Sequence, residues 1–138
     1  MSNQSADRVA PIIEGRGKTW ADPVAATQTL YVGALAMLNT SGDLVRAAAT
    51  AALIMRGVVT KQSLSAPAGT IVETAHNLLV RLKNSASTDE ITRAEIGDNC
   101  YVVDDQTVAK TSDSSARPVA GKIVQIDAAS GEVWVEIL

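Results

Sequence analysis

The fold class is decided by residues 119–138, which read VAGKIVQIDAASGEVWVEIL. Every second residue from Val133 to Ile137 is apolar and branched, while Trp134 and Glu136 fall between them. Such alternation puts the apolar side chains on one face of a β-strand and the other side chains on the opposite face. An earlier run rich in β-branched residues is separated from this one by a cluster of turn-forming residues. The stretch therefore predicts a β-hairpin that buries one of its faces.

The same combination of short apolar runs and turn clusters recurs upstream. Residues 100–103 and 107–110 flank a polar turn at 104–106 and predict a second hairpin. Residues 30–38 are apolar at nearly every position, which is typical of a strand covered on both faces, and residues 44–46 predict the returning strand. Strands this short and this closely spaced predict a mainly all-β fold, a small antiparallel β-sandwich or barrel.

Three segments depart from a plain strand pattern. Thr92 and Glu95 match a capping box, in which each side chain satisfies a free backbone amide, so one short helical turn is predicted near residues 92–97. Residues 47–55 are rich in alanine but short and uncapped, and we interpret them as a loop that enters a strand. Residues 63–69 are predicted to form a loop because Ser, Pro and Gly dominate them.

The first 29 residues have no sustained period of either 2 or 3.6. Pro11, Pro23 and two glycines in this stretch interrupt regular structure. We therefore predict an extended N-terminal arm over residues 1–29, ordered mainly by whatever it touches, and a single β-rich domain over residues 30–138.

Charge limits the classes of partner. The 138-residue chain has a net charge of −3, which argues against general binding to nucleic acid. Residues 1–85 carry eight basic and five acidic residues, a net charge of +3, whereas residues 86–138 carry four and ten, a net charge of −6. This asymmetry has two interpretations: an ordinary solvated surface, or a polarised particle whose basic end docks on an acidic partner.

Three features bear on the compartment. The single cysteine, Cys100, cannot form an intrachain disulfide, so no oxidising compartment is implied. The first seven residues lack the basic and apolar segments of a signal peptide. The most apolar run, residues 47–55, is too short to span a bilayer. We therefore expect a protein that is made and kept in solution, with no membrane partner.

Two patterns that carry chemistry elsewhere are incomplete in this chain. Residues 15–19, GRGKT, lack the first glycine of a phosphate-binding loop, because Ile12 occupies that position. Glu73 and His76 have the spacing used in di-iron carboxylate bundles, but those sites need two such motifs, and this chain has one histidine. We expect His76 to be a surface or turn residue.

The remaining nucleophile and carboxylates also have simpler interpretations. Cys100 lies in an apolar run, where a thiol is expected to be inert packing. Asp104 and Asp105 are neighbours, so they would point to opposite faces of a strand, and as turn residues they can accept nearby backbone amides. The sequence therefore predicts no catalytic residue, no metal site and no cofactor, and we do not expect an enzyme.

Residues 91–111, ITRAEIGDNCYVVDDQTVAKT, carry a specific resemblance. They look like the signature stretch of a family of capsid cement proteins, also called head decoration proteins, of tailed phages and prophages. VAGKIV at 119–124 and GEVWVEI at 131–137 resemble the end of that family in order and spacing, and YVGAL at 31–35 resembles its first core strand. The chain departs from the usual pattern at residues 47–52 and 73–77.

The resemblance implies a β-rich protein on the outer surface of the virion, synthesised in the host cytoplasm. Such a protein binds the outside of the assembled head, usually as an oligomer at junctions between major capsid subunits, and has neither a reaction nor a cofactor. We also expect a homotrimer, because an Ala- and Val-rich core with few large side chains suggests apolar strand surface buried between copies. The alternative is a tail- or fibre-associated module that recognises a receptor or glycan.

The N-terminal arm is the predicted capsid contact. It carries Ile12, Ile13 and Trp20, which a solvated tail would not need, and the basic residues Arg16 and Lys18. We expect Trp20 to be the buried anchor and the basic pair to face acidic groups of the capsid. Two alternatives are that the arm folds back as an edge strand of its own domain, or that it pairs with a sister subunit.

Overall fold

The computed structural model describes residues 3–8, 12–13 and 18–137, with the side chains of 12 and 13 outside that description. Strands make up most of its regular structure, so the prediction of an all-β fold is confirmed. The helical elements of the described residues are two short 3₁₀ turns, Ser87–Asp89 and Arg93–Glu95. In chain order the strands are β1 (Ile12–Ile13), β2 (Lys18–Pro23), β3 (Gln28–Leu30), β4 (Leu35–Leu38), β5 (Leu44–Arg46), β6 (Ile54–Val59), β7 (Ser63–Ala66), β8 (Ile71–His76), β9 (Leu78–Asn84), β10 (Asn99–Val102), β11 (Thr107–Ala109), β12 (Val119–Ile126) and β13 (Val133–Ile137).

Five strands close into a small barrel in the order β9-β11-β10-β12-β13, because β13 pairs back onto β9. Four of the five pairings are antiparallel, and β9 with β11 is parallel. Closure gives every barrel strand a neighbour on both sides, so the barrel itself has no open sheet edge. The two-residue strand β1 adds to β9 from outside the ring.

A second sheet of five strands, in the order β2-β8-β6-β4-β5, packs beside the barrel. At one end, β5 is partly covered because Val24 bridges Leu44. At the other end β2 is the terminal strand, and among the described residues no further strand pairs with its outer edge. β3 and β7 form a separate two-stranded sheet. The second sheet therefore presents β2 as its open edge.

Two apolar clusters lie on opposite sides of the second sheet. The larger cluster fills the barrel and includes Leu35 and Met37 of β4. The smaller cluster lies behind β4 and includes Ala36, so successive residues of this strand point into different cores. All three side chains are fully buried. The predicted strand covered on both faces is thus confirmed for residues 35–37.

The C-terminal half agrees closely with the sequence predictions. Val133, Val135 and Ile137 are fully buried, and the residues between them are half-buried, as the alternation requires. β10 and β11 pair as the second hairpin. The capping box is present in full: the Thr92 hydroxyl accepts the amide of Ala94, and the Glu95 carboxylate accepts the amide of Thr92.

Three predictions in the N-terminal half need correction. Residues 30–38 do not form one strand, because the chain turns at Gly33, whose φ of +89° suits glycine, between β3 and β4. Residues 63–69 are not a loop throughout, since β7 pairs with β3. The expected arm is not separate from the domain from residue 18 onwards, because β2 pairs along the whole of β8.

Candidate functional site

β2 places two of the predicted contact residues on one face of the open edge. Its register pairs Lys18 with His76 at one end and Pro23 with Ile71 at the other. Because side chains alternate along a strand, Lys18, Trp20 and Asp22 share a face. The interpretation of this part of the arm as an edge strand of its own domain is therefore the one that the structure shows for residues 18–23.

On that face the side chains form a stack, which we call the Trp20 ladder: Asp22, Arg56, Trp20 and His76. The Trp20 and His76 rings are stacked, with centroids 4.1 Å apart and planes 6° from parallel. On the other side of Trp20, the guanidinium carbon of Arg56 lies 4.1 Å from the ring centroid, a cation–π contact. Both faces of the indole are therefore covered by this chain's own side chains.

Asp22 holds Arg56 in place with two parallel hydrogen bonds. Arg56 Nε and Nη2 donate to the two carboxylate oxygens over 2.7 and 2.9 Å. The register of β6 against β4 shifts between Gly57 and Met55, so Arg56 lies at an irregularity of the strand. Such an irregularity re-aims a side chain, and here it allows Arg56 to reach across β8 to β2.

His76 closes the ladder. The sequence predicts a surface or turn residue, and the structure places His76 at the end of β8, directly before the turn at Asn77, with its side chain buried. It is 8% exposed, and its Nε2 has no hydrogen-bond partner among the described residues. Burial lowers the pKa of His76 below its ordinary value, and the positive charges of Lys18 and Arg56 lower it further. A neutral imidazole stacks on Trp20 without placing a third cation beside those two.

The ladder leaves only part of Trp20 available to a partner. The side chain is 37% exposed, and because both ring faces are occupied, the exposed part is the ring edge. A ring covered on both faces has no free platform on which a sugar could stack. Trp20 thus contributes a rigid, partly apolar edge flanked by Lys18, rather than an open aromatic surface.

The other predicted contact residues are only partly placed. The backbone of Ile12 and Ile13 pairs with Val80 and Leu79 of β9, which puts it on the barrel, and their side chains are outside the description. Arg16 also lies outside the described residues. The structure therefore brings Lys18 and Trp20 together on β2 and assigns Ile12 and Ile13 to a different strand pairing.

Sequence reasoning missed a buried ion pair in the turn of the second hairpin. Asp104 does accept a local amide, that of Gln106, over 3.0 Å. Asp105, by contrast, is fully buried, and its carboxylate receives Arg46 Nε over 2.7 Å and the amide of Gln4 over 2.8 Å. Arg46 also donates to the carbonyl of Gln4. We call this pair, Asp105 with Arg46, the clasp.

The sequence contained little signal for the clasp. Its members lie 59 residues apart, and an Asp-Asp-Gln turn is sufficiently explained by local hydrogen bonding. For the ladder the sequence contains a weak signal, because Lys18, Trp20 and Asp22 alternate along one strand. The contact of Trp20 with His76, however, depends on the register of β2 against β8.

The described residues show no other chemical constellation. Cys100 is buried, and burial raises the pKa of its thiol to about 12. No group of three or more His, Cys, Asp or Glu side chains among the described residues is arranged to hold a metal ion. None of the helical segments described is long and apolar enough to cross a membrane.

Comparison of the chain with protein-family models, with curated proteins and with solved structures finds no match. The resemblance to cement proteins at residues 91–111 therefore remains a prediction from the sequence.

Proposed function

We propose that this protein is a capsid decoration protein that binds the outer surface of an assembled phage head and bridges major capsid subunits. In this proposal it acts as a homotrimer on the virion and stabilises the shell without catalysing a reaction. Because it binds the assembled shell in preference to free subunits, mass action favours the assembled form. Contacts to several capsomers by one oligomer raise the overall affinity through effective concentration.

The observation that carries the proposal is the place of the resembling residues in the fold. Residues 91–111, 119–124 and 131–137 supply the capped 3₁₀ turn and all or most of β10, β11, β12 and β13. These are four of the five strands of the barrel. The resemblance thus covers one contiguous structural unit, which is what a shared fold requires.

The face of β2 that carries the Trp20 ladder is the contact surface that we propose. Lys18 gives it a net positive charge, since Asp22 balances the charge of Arg56, and Trp20 adds a rigid apolar edge. This charge is in keeping with the net +3 of residues 1–85. Lys18 and Pro23 at the two ends of β2 are features that protect edge strands from pairing with other strands. The capsid contact is therefore proposed through side chains rather than through strand addition.

The alternative, a receptor- or glycan-binding module, receives less support. Three of the four aromatic rings have an arginine over one face: Trp20 with Arg56, Trp134 with Arg81, and Tyr31 with Arg46. Trp20 is covered on the second face as well. Glycan recognition by stacking needs an exposed ring face, and Trp20 does not provide one.

The test is binding to undecorated heads assembled from the major capsid protein of the same phage. Wild-type protein is expected to co-sediment with heads, and Lys18→Glu to bind about tenfold more weakly with an unchanged melting temperature. Lys122→Glu, an equal charge change at an exposed position of barrel strand β12, is the matched control and is expected to bind normally. Absence of wild-type binding would overturn the proposed function, and equal binding by both variants would overturn only the proposed contact surface.

A further inference from the structure

The segment at residues 3–8 is bound like a peptide ligand. Its sequence, Asn-Gln-Ser-Ala-Asp-Arg, has no large apolar side chain, yet Gln4 is only 5% exposed. Every contact that holds it reaches residues far along the chain. Gln4 Nε2 also donates to the Ala6 carbonyl within the segment (2.7 Å). Besides the two bonds from the clasp to Gln4, the bonds to the rest of the chain are Gln4 Nε2 to the Val32 carbonyl (3.1 Å), the Arg8 amide to the same carbonyl (3.2 Å), the Val32 amide to Asp7 Oδ1 (3.1 Å) and Arg8 Nη2 to the Arg81 carbonyl (3.1 Å).

The clasp recognises the backbone of one residue from both sides. The Asp105 carboxylate accepts the amide of Gln4, and the Arg46 guanidinium donates to the carbonyl of Gln4. The Gln4 side chain then donates to Val32, so the site also selects an amide side chain. Asp105 and Arg46 balance each other's charge without the peptide, so the ion pair can persist when residues 3–8 leave and present its donor and acceptor to another peptide backbone.

Binding of this kind is weak enough to exchange. Six hydrogen bonds of modest net strength hold residues 3–8, and the segment has no large apolar side chain to bury. Segments held in this way open locally without unfolding the rest of the protein. β1, the next described element, has two residues and adds only a short pairing to β9.

We propose that the clasp binds residues 3–8 of a second copy of this chain, so that exchange of this segment links neighbouring copies. Exchange preserves the contacts of residues 3–8 and gives up only the two-residue pairing of β1 with β9, which makes it a low-cost route to association. Once β1 is released as well, residues 9–17 connect the segment to β2, and nine extended residues span at most about 30 Å. A connection of that length lets the segment leave its own clasp while β2 keeps its pairing with β8.

Site-specific cross-linking tests the exchange in solution, without heads, and is thus independent of the proposed function. Ser5 and Lys83 line one cleft, where the bound segment meets the barrel. Two full-length single variants of different tagged mass, Ser5→Cys and Lys83→Cys, are mixed and treated with a short bis-maleimide. Cys100 is buried with a raised thiol pKa and is expected not to react. Exchange predicts a covalent heterodimer well above the background given by Ser5→Cys mixed with Lys122→Cys on β12.

Further variants assign the heterodimer to the clasp. Adding Asp105→Asn to the Lys83→Cys chain, which supplies the clasp, is expected to reduce the heterodimer at least fivefold. If Asp105→Asn disturbs folding, Arg46→Lys takes its place. This variant keeps the charge but removes the guanidinium fork, and it is also expected to reduce the heterodimer. Excess synthetic peptide of residues 2–8 should compete. A heterodimer yield equal to that of the Lys122→Cys control overturns the exchange, and a yield insensitive to both clasp substitutions overturns the assignment of the site.

Discussion

In the barrel each of five strands has a neighbour on both sides, whereas the second sheet ends at β2 with one edge unpaired by any described strand. The interiors also differ. Barrel strands such as β13 alternate buried apolar and half-buried side chains, while β2 carries no fully buried side chain and is covered by a ladder of charged and aromatic groups. The closed barrel therefore holds most of the larger apolar cluster, whereas the open edge of the second sheet presents charged and aromatic side chains.

The largest expected effect lies in the barrel. A Cβ at Gly121 would overlap the Glu136 carbonyl of the adjoining strand β13, a backbone atom that cannot move aside alone. We expect Gly121→Ala to lower the free energy of unfolding by about 3 kcal/mol, measured by urea denaturation. Gly42→Ala, at a turn with φ +81° and no atom within 4 Å of the added Cβ, is the control and should cost about 1 kcal/mol. An equal loss of unfolding free energy in the two variants would contradict the barrel as the rigid unit.

A smaller effect is expected at the clasp, which joins the barrel to β5 of the second sheet. Asp105→Asn removes the buried charge opposite Arg46 and weakens the acceptor of the Gln4 amide. Because the Arg46 side chain is only 25% exposed, we expect a loss of about 2 kcal/mol in the free energy of unfolding. Asp127→Asn, which removes an ion pair with Arg81 nearer the surface, should cost less than about 1 kcal/mol. A loss at Asp105 no larger than that at Asp127 would contradict the clasp as a structural junction.

The pH dependence of stability tests the burial of His76 in the second sheet. The lowered pKa of His76 means that, below its ordinary value of 6.5, the folded protein binds fewer protons than the unfolded chain. Stability from this group is therefore fully present above pH 6.5 and is lost as the pH falls towards the folded pKa. The measurement is the melting temperature of wild type and His76→Gln between pH 8 and 5. The variant lacks the only histidine, so its melting temperature should fall less steeply as the pH is lowered. Parallel curves for the two proteins would contradict the buried, neutral imidazole.

The smallest effect is expected in the connection between β11 and β12 of the barrel. Asp113, Ser114 and Ser115 all have positive φ, from 51° to 68°, which side chains other than glycine adopt at a cost. Ser114→Gly should therefore raise the free energy of unfolding by about 0.5 kcal/mol in urea denaturation. Ser112→Gly, outside the positive-φ run, is the control and is expected to be neutral or slightly destabilising. A loss of stability in Ser114→Gly would mean that the side chain compensates for the strained turn.

The sequence predicts structure correctly where the pattern is local, and incorrectly where the pairing partner is remote in the chain. The hairpin at residues 119–138, the capping box at Thr92 and the strand covered on both faces at residues 35–37 all follow from periodicity or from local hydrogen bonding. Errors fall where partners are remote. Residues 63–66 look like a loop by composition but pair with β3, and the expected arm from residue 18 becomes a strand because β8 accepts it.

The class of fold and most strands of the barrel follow from the amino-acid sequence alone, because neighbouring side chains show the two-residue period of a half-buried strand. The tertiary structure is needed to see which strands close into a ring, which edge stays open, and which distant groups meet. Trp20 reaches His76 through the register of β2 on β8, and Asp105 meets Arg46 across 59 residues. Such contacts depend on closure and register over the whole chain, and no local pattern encodes them.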